Sequence, residues 1–238
     1  MIEVRNFDSI AHIDHGWLDT RHHFSFGDYH DPKRINWGAL RVWNDDIIQA
    51  GTGFGRHPHR DMEIITYVLD GAITHRDSMG HEGRTDAGDV QVMSAGTGIE
   101  HEEWNREDVP THIFQIWIFP REQGGAPRWN SAKFPKADRA GELVALASGR
   151  AADLARGALE IRQDATILGS TLAPGQSISH RLGDGRLAYL VPARGEVNLN
   201  GQRVPERAAA AILREPIIDI GSRRGAEILI AEVPSLGA

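Results

Sequence analysis

His57-Pro58-His59 and His101-Glu102-Glu103 are two short stretches whose residue types and spacing could do metal chemistry. On an extended strand, residues i and i+2 project to the same face. Pro58 biases His57 toward extended backbone, so both imidazoles of the first pair should point into the same space. By the same spacing, His101 shares a face with Glu103. If the two strands oppose each other inside a barrel, three imidazoles and one carboxylate converge. Such a nitrogen and oxygen set suits a borderline divalent ion: Fe, Mn, Co, Ni, Zn or Cu(II). It lacks the sulfur that would favour Cu(I). An isolated pair of histidines two residues apart is weak evidence. That pair together with a His–Glu pair of the same spacing, each beside strand and glycine signals, makes a metal centre the working expectation.

Of the twelve histidines, eleven lie at or before His112 and only His180 lies beyond. His22 and His23 are adjacent and point opposite ways if extended. His75 and His81 lie near a polar turn, and His112 opens a core strand. These read as structural or solvated, and Asp61, Glu100 and Glu102 as surface acids. The absence of cysteine excludes disulfides, Cys-ligated zinc, iron–sulfur clusters and thiol nucleophiles. A net charge of −7 disfavours direct nucleic-acid binding. No basic segment followed by an apolar stretch opens the sequence, and no apolar run approaches the roughly 18 residues of a membrane span. A cytoplasmic protein with no membrane partner, and a monomer, is the expectation.

The elements that must position these residues read mostly as β. Ile64 to Leu69 is a β-branched and aromatic run. Asp70-Gly71 and then Ala72 to His75 follow it, which predicts a hairpin through a type I′ turn. Gly88 to Met93 reads as a turn and strand. Thr111 to Phe119 is long enough for a central strand, stopped by Pro120. Arg186 to Val191, Glu196 to Leu199 and Ile228 to Val233 are predicted strands, with Asn200-Gly201 as a second hairpin turn. Helices are expected at Asp138 to Leu146, Ala151 to Arg156 and Pro205 to Ala211. All six Trp and all seven Phe lie at or before Phe134, and the composition shifts across Pro120 to Ala140. That shift divides the chain into residues 1–130 and 131–238. Tyr67-Val68-Leu69 and Tyr189-Leu190-Val191 each precede a turn and strand. Equating the two tyrosines puts Ser179 and Arg181 where His57 and His59 stand. Two related β domains, one with the histidines and one without, would explain the skew. The fold class is therefore all-β: two sandwich or barrel domains with a few short helices.

These residues resemble the cupin superfamily. Its first motif, G-x5-H-x-H-x3/4-E-x6-G, is matched by Gly51, His57, His59, Glu63 and Gly71, with seven residues rather than six in the last gap. Its second, G-x5-P-x-G-x2-H-x3-N, is partly matched by Gly88, Gly96, His101 and Asn105. Ser94 takes the proline position, and Gly98, rather than Gly96, keeps the correct distance to His101 and Asn105. The departures resemble the pirin-like branch, through Arg21 to Tyr29 (RHHFSFGDY), Pro58-His59-Arg60, Ala95 to Ile99 (AGTGI) and His101-Glu102-Glu103. The likeness spans the chain and is nearest to bacterial pirin-like quercetinases. It implies a bicupin of jelly-roll barrels: a metal-bearing domain at 1–130 and a degenerate, metal-free one at 131–238.

The resemblance also implies the ligand set His57, His59, His101 and Glu103, whereas an ordinary cupin would use the Glu63 position. It implies one divalent cation, iron ranked ahead of Mn, Co, Ni, Cu or Zn. The implied activity is cleavage of a flavonol such as quercetin by O2, with release of carbon monoxide. Glu103 would be a ligand, or would take the substrate proton. The alternatives are a nonenzymatic, metal-binding regulator acting through protein contacts, and a non-oxidative cupin enzyme. Apolar walls for the substrate are expected from the Trp- and Phe-rich first half.

Overall fold

The computed structural model describes residues 1–236. It is a bicupin: four β-sheets arranged as two sandwiches, almost wholly antiparallel. In the first half, a seven-stranded sheet runs in the order Arg128–Ala132, Val90–Ser94, Glu63–Asp70, Thr111–Ile118, Leu40–Ile48, Leu18–His22 and Ala11–Asp14. It faces a four-stranded sheet ordered Gly53–His59, Ile99–Trp104, Ala72–Asp77 and Glu82–Asp86. The second half repeats both orders. Its large sheet runs Ile2–Arg5, Ala209–Leu213, Arg186–Gly195, Ala226–Pro234, Thr166–Leu172, Val144–Ser148 and Leu159–Glu160. Its small sheet runs Ser177–Arg181, Ile217–Gly221, Val197–Leu199 and Gln202–Val204. Tyr67 and Tyr189 sit on equivalent strands, and Ser179 pairs with Asp219 where His57 pairs with His101. The first strand of the chain belongs to the second half's sheet, where Ile2–Arg5 edges Ala209–Leu213.

The two large sheets lie face to face. Ile65, Tyr67 and Leu69 pack with Tyr189, Val191 and Leu229 in one core, together with Trp43 and Phe114. The opposite face of the same strand, at Ile64 and Val68, turns into the first sandwich. A strand buried on both faces lacks the usual apolar–polar alternation, which is why Ile64 to Leu69 reads as an apolar and aromatic run interrupted only by Thr66.

The interiors of the two sandwiches differ. The second is filled by a single aliphatic cluster drawn from both its sheets, with Leu168, Leu190, Val197, Leu199, Ile218 and Ile230 among its members. The first holds two smaller clusters, around Val68 and Ile113 and around Ile64 and Met93. Space is left for a cavity.

Three expectations are corrected. Asp138 to Leu146 is not a helix but a 3₁₀ turn, Lys136–Arg139, followed by the strand Val144–Ser148. Pro205 to Ala211 is not a helix either. Ala209–Leu213 is a strand, because its alanines are small enough to be buried on both faces, in the inter-sheet core and in the second interior. The strands flanking Asp70-Gly71 belong to different sheets rather than to one hairpin. Only Gly71 has positive φ (+74°), so the type I′ condition at both residues is not met. At Asn200-Gly201 both φ angles are positive and the hairpin forms.

Candidate metal centre

Gly53–His59 and Ile99–Trp104 are antiparallel neighbours, with His101 opposite His57 and Ile99 opposite His59. The pairing slips by one residue between His101 and Glu103, a bulge beside the site. His57, His59 and His101 each offer a ring nitrogen, and all three nitrogens lie within 4.8 Å of one another. The rings stand 4.5–4.9 Å apart between centroids. The Nε2 atoms of His57 and His101 are 3.1 Å apart. His57 Nδ1 donates to the Gly55 carbonyl at 2.7 Å, which leaves its Nε2 as a bare lone pair. His59 Nε2 is buried and has no protein partner. The edge of Trp117 closes over the His59 ring at 4.9 Å. Burial and the neighbouring rings push His101 down to about 2, and burial with His57 pushes His59 down to about 4. His59 and His101 are therefore neutral, as metal ligation requires. Converging ring nitrogens, one of them buried and unpartnered, fit a divalent cation better than they fit one another.

Glu103 is 2% exposed and lines the same cavity as the three histidines. It is not a member of the close group of ligand atoms. Gln91 Nε2 and Gln115 Nε2 each donate to its carboxylate at 2.5 Å, and Thr66 Oγ1 at 3.3 Å. Burial outweighs these bonds and pushes the carboxyl up to about 7. Glu63 is buried elsewhere. Its Oε2 accepts from Ser94 Oγ at 2.6 Å and from the Arg162 backbone N–H at 3.1 Å, reaching the second half of the chain.

The cavity beneath the histidines has a volume of about 340 Å³. Trp17, Phe26, Phe54 and Trp117 give it aromatic walls, drawn from the first half as expected. Its floor includes His22, Asn44 and Gln115, and Thr66 and Gln91 continue the same polar row in direct cross-strand register behind Glu103. Three members of the row hold Glu103. The other two keep buried atoms without partners, Asn44 Oδ1 and His22 Nδ1. Asp46 lines the same cavity, accepts from Thr20 Oγ1, and is pushed up to about 7 by burial and by the nearby Asp45 and Glu103 charges.

Asp46, Asn44 and His22 were not among the residues expected in a site. The signal for the first two was present: Asn44-Asp45-Asp46 breaks the apolar strand Leu40–Ile48 in its middle, and all three are buried. The middle one, Asp45, points the other way and takes two bonds from Arg207, at 2.7 and 2.8 Å.

Fold and site together define a two-domain cupin with, among the described residues, one three-histidine centre, in its first domain. Residues 3–118 match the family model described as Pirin, and residues 146–233 match the one described as Quercetinase C-terminal cupin domain. The chain belongs to the pirin family. A Pseudomonas aeruginosa protein named provisionally as a quercetin 2,3-dioxygenase is 57% identical over 233 residues, covering 98% of this chain and 100% of that one. The quercetin 2,3-dioxygenase of Escherichia coli (strain K12) is 39% identical over 235 residues, covering 98% of this chain and 99% of its own. The crystal structure of the bacterial pirin YhhW from Escherichia coli, in complex with nickel(II), superposes with a TM-score of 0.93 at 38% identity, over 99% of this chain and 100% of that one.

Proposed function

We propose that this chain is a metal-dependent dioxygenase that opens the ring of a flavonol such as quercetin with O2 and releases carbon monoxide. The observation that carries the reading is the placement of three converging imidazoles over an aromatic-walled cavity of about 340 Å³, within the range of small-molecule sites. The names of the relatives support the same chemistry. The second sandwich takes no metal in this reading, because aliphatic side chains fill its interior and Ser179 and Asp219 replace the histidine pair.

His57, His59 and His101 would hold one divalent cation, and the ligand set leaves iron, nickel and the other borderline ions open. When bound, the cation supplies a Lewis acid and a template for the deprotonated hydroxyl and its neighbouring carbonyl. The protein groups do the rest. Trp17, Phe54 and Trp117 take the flat rings and exclude water. Asn44 and His22, left without partners on the cavity floor, hydrogen-bond hydroxyls remote from the reacting ring. Glu103, on the same strand face as His101 and poised near neutrality, accepts the substrate hydroxyl proton, and Gln91 and Gln115 hold it in place. It is also the candidate fourth ligand. The test is oxygen uptake by metal-loaded protein with quercetin. Uptake is expected to need the metal and to vanish in His57→Ala. Failure of every flavonol to turn over in fully loaded protein contradicts the proposal.

A further inference from the structure

We infer that His75 and Asp77 form a proton-fixing relay that sets the tautomer of His101, making His75 a positioning residue of the metal centre. Both lie on Ala72–Asp77, the other neighbour of the ligand strand, where Asp77 pairs with His101 and His75 with Glu103. Both are buried, at 0% and 4% exposure. The Asp77 carboxylate has four donors. Its Oδ1 accepts the backbone N–H groups of Met79 at 2.9 Å and His81 at 3.0 Å. Its Oδ2 meets His75 Nε2 at 3.1 Å and His81 Nδ1 at 2.9 Å.

A carboxylate only accepts, so His75 Nε2 must carry the proton that bonds to it. In a neutral ring, His75 Nδ1 is then bare. That atom lies 3.4 Å from His101 Nδ1, so His101 Nδ1 must be the donor between them. With its proton placed there, His101 presents Nε2 as a lone pair, facing His57 Nε2. His57 reaches the same state through one bond to a backbone carbonyl, and His101 reaches it through a second imidazole and a carboxylate. Orienting partners of this kind sharpen ligand geometry and basicity. The relay is clamped from outside: Trp129 stacks on the His75 ring at 4.9 Å with 6° between planes. Gly83 lies against that indole so closely that a Cβ there would come within 2.2 Å of it.

The inference rests on the metal-binding part of the proposed function and not on the flavonol chemistry. The test compares Ni(II) binding by calorimetry to the full chain, stripped of metal by chelator, in the wild type and in His75→Phe. Phenylalanine keeps the ring and its stack on Trp129 but has no nitrogen. The expected result is about a 10- to 100-fold weaker Ni(II) affinity with the metal-free melting temperature little changed. Histidine ¹⁵N spectra of the metal-free chain should show His101 protonated at Nδ1 in the wild type and as a mixture of tautomers in His75→Phe. An unchanged affinity in His75→Phe, or a wild-type His101 protonated at Nε2, overturns the relay. Should His75→Phe fail to fold, Asp77→Asn replaces it, with weaker Ni(II) binding expected and unchanged binding contradicting the inference. Wild-type protein that takes up no Ni(II) or other divalent ion would instead defeat the metal site itself.

Discussion

Glu103 separates two roles that geometry places side by side. Its carboxylate is held by three protein donors and stands outside the close group of imidazole nitrogens. Glu103→Gln should therefore lower kcat for a flavonol by about 100-fold or more while metal uptake by the three histidines persists. Metal analysis beside steady-state kinetics checks this, and loss of the metal along with the activity would make Glu103 a ligand first. A second prediction concerns Glu232. Burial raises its carboxyl, but His180 Nε2 at 2.8 Å and Arg150 Nη2 at 2.7 Å outweigh burial and hold it down to about 2, against an ordinary 4.5. A depressed carboxyl stabilises the fold above its unfolded value and loses that effect as pH falls from about 4.5 toward 2. Glu232→Gln should cost roughly 3 kcal/mol at pH 7 and progressively less below pH 4.5, as read from denaturant melts at several pH values. At this scale His57, His59 and His101 were legible, because alternation on a strand is local. His75 was not. It looks like one more histidine beside a polar turn until a neighbouring strand brings His101 against it.

The two turn dipeptides show what element geometry adds. Asp70-Gly71 and Asn200-Gly201 carry the same local hairpin signal, yet only the second joins paired strands. At the first, the chain leaves one sheet for the other, and Gly71 is wedged so that a Cβ would sit 2.5 Å from Thr111 Oγ1. Gly71→Ala combines strain at positive φ with that clash, and should destabilise by about 2 kcal/mol. Gly201 has open space around it, so Gly201→Ala should cost nearer 1 kcal/mol. Equal losses in urea unfolding would mean that the Thr111 contact adds nothing to the strain at Gly71. The strands themselves were largely readable from β-branched runs. The two helices that fail, Asp138 to Leu146 and Pro205 to Ala211, lie in alanine- and charge-rich sequence. There, helix propensity is a weak prior and tertiary packing decides. The polar row from His22 to Gln91 spans five strands, so no window of sequence contains it.

Across the whole molecule, the two large sheets share one core, so the halves should not melt separately. Polar links reinforce the contact. His23 Nδ1 meets the Tyr189 hydroxyl at 2.9 Å, Arg139 donates to the Tyr67 hydroxyl at 2.6 Å, and Arg207 clasps Asp45. The first strand, Ile2–Arg5, protects the edge at Ala209–Leu213 and places Arg5 near the rings of Phe24 and Tyr189. Removing residues 1–5 should lower the melting temperature by several degrees, promote association through the bare edge, and leave a single transition. Two resolved transitions in calorimetry would mean that the shared core does not couple the halves. The skew of histidines and aromatics toward the first half was legible as one equipped domain and one plain domain. The structure supplies the physical form of that difference, a cavity in one interior and packed aliphatics in the other.

The gas balance of a quercetin turnover is the decisive readout for flavonol cleavage at the three-histidine centre. Oxygen consumed and carbon monoxide released by metal-loaded protein should be measured together, with His57→Ala as the control. One carbon monoxide is expected for each O2, with neither gas exchanged by the variant. Quercetin turnover without carbon monoxide, or turnover that continues when O2 is excluded, would contradict cleavage at this centre.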